Sequence, residues 1–252
     1  MDLDLKNKIV ILTGATGGIG KQICADFIRE GAIVIAVYRN EDKLKKLIKF
    51  LTELNLDPTK AHPVKTDVLK KSEIDRCVKE VLQNFNRIDV LINCAGSSLE
   101  CSFAMLDENL IENMIDVNLK SPMLFAQAVL KPMFKQKSGS IINITTVATH
   151  KAGRGIVAYA SAKSGLDTFT RALAQEVGRK NIRVNTIRPG IIKTEMSKQI
   201  LENIGSYIID STAINRIGKP TDISSVVLFL ASEKTASFIN GTNINVDGGF
   251  SL

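Results

Sequence analysis

The chain has 252 residues, of which 44% are apolar and 23% are charged, and its formal net charge is +7 at pH 7. No apolar run approaches the roughly 20 residues of a membrane-spanning helix, the N-terminus lacks a signal-peptide core, and the four cysteines form no CxxC pair, so we expect a cytoplasmic protein with neither a membrane span nor a metal site. Aromatic residues are only 5% of the chain and do not alternate with basic ones, which argues against nucleic-acid binding, whereas the basic surplus would suit an acidic substrate or carrier protein.

Short β-branched runs alternate with helical patterns along the chain. The predicted strands are Ile9–Thr13, Ile33–Val37, Ala61–Thr66, Val90–Asn93, Ser140–Thr145, Arg183–Ile187 and Asn243–Val246. The predicted helices cover 19–30, 40–54, 70–85, 108–136, 157–179 and 221–232. Near-continuous apolar strands suit a parallel sheet that is covered on both faces. The sequence therefore predicts one α/β domain over 1–252, a doubly wound sheet of about seven parallel strands with helices on both faces.

One segment, 191–219, breaks the alternation. It is polar and contains Gly205 and Gly218. We interpret it as a lid over the ligand crevice, since ligand-closing segments are commonly loops between regular elements.

The first strand runs directly into a glycine-rich turn, Gly14–Gly20, and a helix begins at once. Glycines permit a tight turn and let the backbone approach a pyrophosphate, while the helix N-terminus offers free N–H groups and a positive dipole. The glycine spacing is GxxxGxG, and the strand-turn-helix context favours a nucleotide site over a bland turn.

The end of the second strand indicates which nucleotide is bound. It reads Tyr38-Arg39-Asn40 and lacks an acidic residue for the two ribose hydroxyls of NAD. Arg39 could pair with a 2′-phosphate, which favours NADP(H). The alternative is that Arg39 is an ordinary surface arginine.

Tyr159 and Lys163 lie four residues apart within a predicted helix. This spacing places both side chains on one helix face. A nearby ammonium favours the phenolate, so we expect Lys163 to lower the pKa of Tyr159 and to ready it for proton exchange with a carbonyl or alcohol oxygen. The alternative is a solvated helix face.

Taken together, several motifs resemble those of the short-chain dehydrogenase/reductase family, and the resemblance covers the whole chain. The matching segments follow the family's order: TGxxxGIG at Thr13–Gly20, NNAG at Asn93–Gly96, YxxxK at Tyr159–Lys163 and PGxIxT at Pro189–Thr194. Cys94 replaces the second asparagine of the NNAG motif. The resemblance implies a Rossmann-type fold and a nicotinamide cofactor.

The resemblance also implies site residues. The implied catalytic residues are Asn118, Thr146, Tyr159 and Lys163. The implied cofactor-binding residues are Gly14, Thr16, Gly18, Ile19, Gly20, Arg39, Asp67, Val68, Asn93, Ala95, Gly96, Tyr159, Lys163, Pro189, Gly190, Ile192 and Thr194. Thr146 stands where many members of the family have serine. It keeps the hydroxyl but adds a methyl group, and Thr145 is the alternative if the register differs by one.

The implied reaction is the reduction of a ketone. The carbonyl oxygen would lie between Thr146 and Tyr159, where Tyr159 protonates it and Thr146 stabilises its charge. Lys163 would bind the nicotinamide ribose, and Asn118 would hold a water that relays the replacement proton.

The C-terminal run from Arg216 to Gly249 is similar to bacterial 3-oxoacyl-acyl-carrier-protein reductases. That similarity implies a 3-oxoacyl thioester substrate, an acidic acyl carrier protein docked on Lys137 and Lys180, and a homotetramer. Two alternatives stay open because one fold hosts many functions. One is an NADP(H)-dependent enzyme of a free small carbonyl or alcohol, such as a sugar, steroid or aliphatic ketone, and the other is a catalytically silent nucleotide-sensing protein.

Overall fold

The computed structural model describes residues 3–151 and 153–252. Its centre is a parallel seven-stranded sheet in the order β3-β2-β1-β4-β5-β6-β7. The strands are β1 (Ile9–Thr13), β2 (Ile33–Tyr38), β3 (Ala61–Lys65), β4 (Val90–Asn93), β5 (Gly139–Ile144), β6 (Ile182–Pro189) and β7 (Asn243–Val246). The predicted doubly wound sheet is confirmed. Its strand order reverses between β1 and β4, which is where such sheets open a ligand crevice.

Nine α-helices accompany these strands within the described residues. They are α1 (Gly18–Arg29), α2 (Glu41–Glu53), α3 (Lys71–Phe85), α4 (Glu108–Ile115), α5 (Ser121–Gln136), α6 (Val157–Val177), α7 (Lys198–Asp210), α8 (Pro220–Ala231) and α9 (Glu233–Ala236). The predicted helix 108–136 is interrupted by a π-helical turn, Asp116–Lys120. No helix was predicted within the segment 191–219, but α7 lies inside it.

The core consists of two apolar layers, one on each face of the sheet. Phe27 of α1 lies in the first layer with residues of α2 and α8. Phe125 of α5 lies in the second with residues of α3 and α6. Each Å² of apolar surface removed from water stabilises the fold by roughly 25 cal/mol, so burial of the two layers holds the sheet rigid. The loops at the carboxyl ends of β1, β4, β5 and β6 are thereby fixed relative to one another.

None of the helices that the structure describes is both long enough and apolar enough to cross a membrane.

Candidate active site

The glycine-rich turn joins β1 to α1 at the switch point of the sheet. Gly14 has a φ of 66°, and a Cβ there would lie 2.8 Å from the Ala95 backbone. A Cβ on Gly20 would lie 2.1 Å from the Gly14 carbonyl oxygen. Gly17 caps α1 without a side-chain hydrogen bond. The α1 N-terminus therefore keeps its backbone N–H groups open, and the turn fits the pyrophosphate of a dinucleotide.

Thr13 fixes this turn to the neighbouring strand, a role that the sequence analysis did not identify. Its buried Oγ1 accepts hydrogen bonds from the backbone N–H groups of Cys94 and Ala95, each at 3.0 Å. The same hydroxyl donates to the Ile92 carbonyl oxygen. The ends of β1 and β4, and with them two predicted cofactor segments, are thus held together by one side chain.

Replacing Thr13 with valine should therefore lower the free energy of unfolding by roughly 1–3 kcal/mol, because two buried N–H groups lose their acceptor. Cofactor affinity should fall as the turn loosens. Urea unfolding and fluorescence titration with NADPH measure the two effects. Thr13→Ser keeps the hydroxyl and is the matched control, so an equal loss in both variants would show that the hydrogen bonds are not responsible.

The predicted nicotinamide segment lies against the glycine-rich turn. A Cβ on Gly18 would lie 2.6 Å from the Thr194 Cγ2 atom. Ser197, which the sequence analysis missed, donates from Oγ to the Ile192 carbonyl oxygen at 2.6 Å and accepts from the Thr194 N–H at 3.0 Å. Gly190 donates its N–H to the Val246 carbonyl oxygen. The structure thus places the Pro189–Thr194 segment beside Gly18.

The residues predicted to bind the adenosine end of the cofactor lie at the carboxyl ends of β2 and β3. Arg39 is exposed, and no carboxylate within the described part of the chain pairs with it. The nearby acidic residue Glu41 is instead bound to Lys65, with 3.1 Å between Oε1 and Nζ, and to the Tyr38 hydroxyl at 3.2 Å. The Asp67 carboxylate accepts the Leu69 N–H at 3.1 Å. Arg39 is therefore available to an anionic ligand.

Three predicted catalytic side chains converge at the end of β5. Thr146 lies beside Tyr159, and a side-chain hydrogen bond from Thr146 lowers the pKa of the Tyr159 phenol. Thr146 Oγ1 also accepts the Ala148 N–H at 3.2 Å. Lys163 is buried, and its Nζ donates to the Ile144 carbonyl oxygen at 2.9 Å. The paired hydroxyls of Thr146 and Tyr159 thus offer one carbonyl oxygen two hydrogen bonds.

The expected lowering of the Tyr159 pKa by Lys163 is wrong for this structure. Burial raises the pKa of Tyr159 above its usual value, and the Thr146 hydrogen bond offsets this only in part. The Lys163 ammonium faces the Ile144 carbonyl, and burial lowers its own pKa to about 8. The phenol is therefore protonated at neutral pH in the ligand-free protein.

Thr145 points elsewhere. Its hydroxyl donates to Asp167 Oδ1 at 3.0 Å and approaches the Ile187 carbonyl oxygen at 3.4 Å. Beyond β5 the backbone of Thr146 is still extended, and successive side chains of an extended chain point to opposite sides, so Thr146 is the one that reaches Tyr159. The geometry supports Thr146 over Thr145 as the substrate-facing hydroxyl.

Asn118 lies at the centre of the π-helical turn and is fully buried. Its Nδ2 donates to the carbonyl oxygens of Ser97 at 2.9 Å and Met114 at 3.1 Å, and its Oδ1 accepts the Ser97 N–H at 3.3 Å. A Cβ on Gly96 would lie 3.0 Å from Asn118 Oδ1 and 3.4 Å from Lys163 Nζ. The absence of a side chain at Gly96 therefore leaves Asn118 and Lys163 facing one small space, and π-turns of this kind are frequent at functional sites.

Asn93 was predicted to contact the cofactor, but its side chain is engaged below the site. Its Nδ2 donates to Asn143 Oδ1 at 2.8 Å, and Asn143 in turn donates to Thr170 Oγ1 at 2.8 Å. Thr186 completes this buried network with a 2.9 Å bond to Thr170. The network ties β4, β5 and β6 to α6, whereas the buried Asn93 Oδ1 has no hydrogen-bond partner within the described part of the chain.

Lys137 and Lys180 precede two neighbouring strands at the amino end of the sheet, far from this site. Lys137 follows α5 and precedes β5, whereas Lys180 precedes β6 and both side chains are exposed. Gly139 and Ile182, the first residues of β5 and β6, pair at the amino end of the sheet. Thr146 stands beyond the other end of β5, roughly 20 Å away at about 3.3 Å per strand residue. Within one chain, the two lysines cannot border the catalytic crevice.

Comparison with known proteins agrees with this arrangement. A family model described as enoyl-(acyl carrier protein) reductase matches residues 14–251. The 3-oxoacyl-[acyl-carrier-protein] reductase of Thermotoga maritima is 36% identical over 245 residues, which are 97% of this chain and 98% of that protein. The corresponding reductase of Chlamydia pneumoniae is 35% identical over 249 residues, 99% of each chain.

Solved structures show the same fold. A short-chain type dehydrogenase/reductase from Mycobacterium ulcerans superposes with a TM-score of 0.92 at 31% identity, over 98% of this chain and 90% of that one. Full-length sequence similarity, the common fold and the convergence of Thr146, Tyr159 and Lys163 agree. The chain therefore belongs to the short-chain dehydrogenase/reductase family.

Proposed function

We propose that the protein is an NADPH-dependent reductase that converts a 3-oxoacyl thioester to the 3-hydroxyacyl thioester. The observation that carries the proposal is the paired hydroxyls of Thr146 and Tyr159 at the end of β5, one helical turn from the buried Lys163. The 3-oxoacyl-[acyl-carrier-protein] reductases that match nearly the whole chain supply the substrate class.

When bound, the reduced nicotinamide supplies the hydride that reaches the carbonyl carbon. Thr146 donates a hydrogen bond that orients the carbonyl oxygen and stabilises the charge developing on it. Tyr159 gives its proton to the same oxygen, so the carbonyl becomes a secondary alcohol. Lys163 would hold the nicotinamide ribose, and the space beside Asn118 would hold the water through which Tyr159 regains its proton.

The protonation state of Tyr159 determines how the rate depends on pH. Burial raises the pKa of the phenol, so Tyr159 carries its proton at neutral pH and can donate it. Oxidation of an alcohol would need the phenolate, which the same burial disfavours. An enzyme with this site should reduce ketones more readily at neutral pH and oxidise alcohols more readily at alkaline pH.

Mass spectrometry of the product tests the proposed reaction. Incubation of the protein with NADPH and an acetoacetyl thioester should yield a product that has gained two hydrogens and retains the thioester. Recovery of unchanged thioester, together with reduction of a sugar or a simple ketone, would favour an enzyme of free small carbonyls. NADPH binding without reduction of any carbonyl would favour a nucleotide-sensing protein.

Arg39 supports NADP(H) over NAD as the cofactor, because it is exposed at the end of β2 and forms no ion pair with a carboxylate of residues 3–151 or 153–252. Replacing Arg39 with alanine should weaken NADPH binding by on the order of 1.5–3 kcal/mol, the usual worth of a hydrogen bond to a charged group. Calorimetric titration with NADPH and with NADH measures the difference. NADH binding should change little.

Lys46→Ala is the matched control, since it removes one positive charge from an exposed position on α2. It should leave NADPH affinity near that of the unsubstituted protein. Equal affinity of the unsubstituted protein for NADH and NADPH would contradict the cofactor assignment.

Carrier docking on Lys137 and Lys180 requires an oligomer. The two lysines lie at the amino ends of β5 and β6, whereas Thr146 follows the carboxyl end of β5. A carrier held by the lysines would therefore deliver its acyl chain to the site of another subunit. The homotetramer is thus part of the same proposal, as is a cytoplasmic location.

Changing Lys137 and Lys180 together to glutamate should raise the KM for the carrier-bound substrate roughly tenfold or more, because like charges then oppose an acidic carrier. Turnover of a short carrier-free thioester should stay near that of the unsubstituted protein. Lys46→Glu with Lys79→Glu makes the same charge change on α2 and α3 and is the control. Equal losses on both substrates would instead indicate a folding defect.

The segment 191–219 is the proposed lid of the single domain 1–252. Its two ends are joined by backbone hydrogen bonds. The Lys193 N–H donates to the Gly218 carbonyl oxygen at 2.8 Å, and the Gly218 N–H donates to the Ile191 carbonyl oxygen at 3.0 Å. Between them, α7 is kinked at Ile204, whose apolar side chain is exposed. An apolar acyl chain bound beneath the segment would remove such side chains from water.

A further inference from the structure

Asp167 is a buried carboxylate of α6 that has no part in the proposed reaction. Its side chain is 3% exposed. Oδ1 accepts the Thr145 hydroxyl at 3.0 Å, and Oδ2 accepts Arg188 Nε at 2.8 Å and lies 2.8 Å from Arg188 Nη2. A carboxylate is costly to bury, and here both of its oxygens have hydrogen-bonded partners.

Asp167 completes a series of contacts between α6 and the end of β5. Tyr159, Lys163 and Asp167 follow one another at four-residue spacing and so share one helix face. Lys163 holds the Ile144 carbonyl and Asp167 holds the Thr145 hydroxyl. Tyr159 meets the hydroxyl of the next residue along the strand. Three consecutive residues of the strand end are thus fixed to three consecutive turns of the helix.

Arg188 extends these contacts to the cofactor side. It lies on β6 directly before Pro189, where the predicted nicotinamide segment begins. With the Asn243 amide assigned from its neighbours, the Asn243 oxygen accepts both Arg188 Nη2 at 2.9 Å and Arg171 Nη1 at 3.0 Å. Asp167 therefore links the strand that carries the substrate hydroxyl to the strand that leads into the cofactor segment.

We propose that Asp167 is a positioning residue that holds Thr146 and the Lys163 ammonium in place for the reaction, with Arg188 as its counter-ion. The expected effect on kinetics rests on the proposed reductase function, whereas the contacts of Asp167 and its effect on Lys163 rest on the ligand-free structure. Thr146 is oriented through its neighbour Thr145, and Lys163 is oriented through their shared helix face.

Asp167 also influences the pKa of Lys163. Burial lowers the pKa of Lys163 to about 8, whereas Cys94 and Asp167 raise it. Burial also raises the pKa of the Cys94 thiol to about 12, so this thiol carries no charge near neutral pH. Asp167 is then the charged neighbour that raises the pKa of Lys163, and Arg188 Nη2 lies 2.8 Å from Oδ2 of the same carboxylate.

NMR titration of the ligand-free protein, labelled with ¹³C at lysine Cε, tests this assignment. Lys163→Arg identifies the Lys163 resonance. In Asp167→Asn, the titration midpoint of Lys163 should fall by roughly 0.5–1 pH unit, since an opposite charge is lost. In Arg188→Gln, the midpoint should rise, because Asp167 is less neutralised. If Asp167 served only folding, the Lys163 midpoint would not move in opposite directions in Asp167→Asn and Arg188→Gln.

Kinetics supply the second readout. In Asp167→Asn, kcat/KM for ketone reduction should fall about tenfold, and its alkaline limb should move to lower pH with the Lys163 midpoint. Thr145→Val, which deletes only the hydroxyl contact, should lower kcat/KM without moving the midpoint. If Asp167→Asn leaves the midpoint and kcat/KM unchanged, Asp167 has no such role. If the unsubstituted protein reduces no carbonyl, the proposed function fails, and the NMR titration still decides the role of Asp167.

Discussion

Replacing Tyr159 with phenylalanine is expected to lower the rate of ketone reduction by at least ~10², the usual contribution of a general acid. The substitution deletes the hydroxyl that is paired with Thr146 and leaves the ring. NADPH binding should persist, because the ring and Lys163 remain in place. Initial rates of NADPH consumption, with NADPH affinity measured separately, distinguish lost chemistry from lost binding.

Tyr207→Phe is the matched control for this prediction. Tyr207 lies on α7 and is 62% exposed, so loss of its hydroxyl should leave the rate nearly unchanged. If Tyr159→Phe kept the turnover of the unsubstituted protein, Tyr159 would have no place in the mechanism. Loss of NADPH binding together with turnover would point to a disturbed site.

Replacing Thr146 with valine should reduce turnover on the order of 10²-fold, the cost of removing one donor to a developing oxyanion. Valine keeps the shape of threonine and deletes the hydroxyl that contacts Tyr159. Because that contact lowers the Tyr159 pKa, its loss should raise the phenol pKa further. Steady-state kinetics with a fixed thioester substrate measure the effect, and kcat should fall more than KM rises.

Thr146→Ser provides the control, since it deletes only the methyl group. It should remain active and accept bulkier ketones, because the pocket beside the hydroxyl widens. Full activity of Thr146→Val would contradict the assignment. The Thr145 hydroxyl is already bound to Asp167, so Thr145→Val should cost less than Thr146→Val.

The strands were the most predictable part of the fold. Ile9–Thr13, Val90–Asn93 and Asn243–Val246 match the structure at both ends. Ile9–Thr13 is apolar up to its last residue and is followed at once by a glycine, so its boundary is visible in the sequence.

Two helical features could not be seen in this way. The turn Asp116–Lys120 widens to a π-helix where Asn118 bonds to Ser97, and that contact joins distant parts of the chain. Helix α7 escaped prediction because its apolar residues lie on both sides of the kink at Ile204, which interrupts the helical period. Tertiary contacts decide both elements.

The candidate site shows the same division. Motif order indicated Thr146, Tyr159 and Lys163, and the structure brings them together. The contacts of Asp167 with Thr145 and Arg188 span about twenty positions in sequence and follow only from the pairing of β5, β6 and α6. The direction of the Tyr159 pKa shift was mispredicted because it depends on burial, which a helical spacing does not reveal.

The most direct measurement compares kcat/KM for an acetoacetyl thioester with that for free ketones and sugars, by following NADPH absorbance. If the protein is a 3-oxoacyl thioester reductase, NADPH is consumed with the thioester at a kcat/KM that exceeds those of the free carbonyls by roughly tenfold or more. NADH should serve poorly under the same conditions. Faster reduction of a free ketone or sugar, or no NADPH consumption with the thioester, would contradict the proposed function.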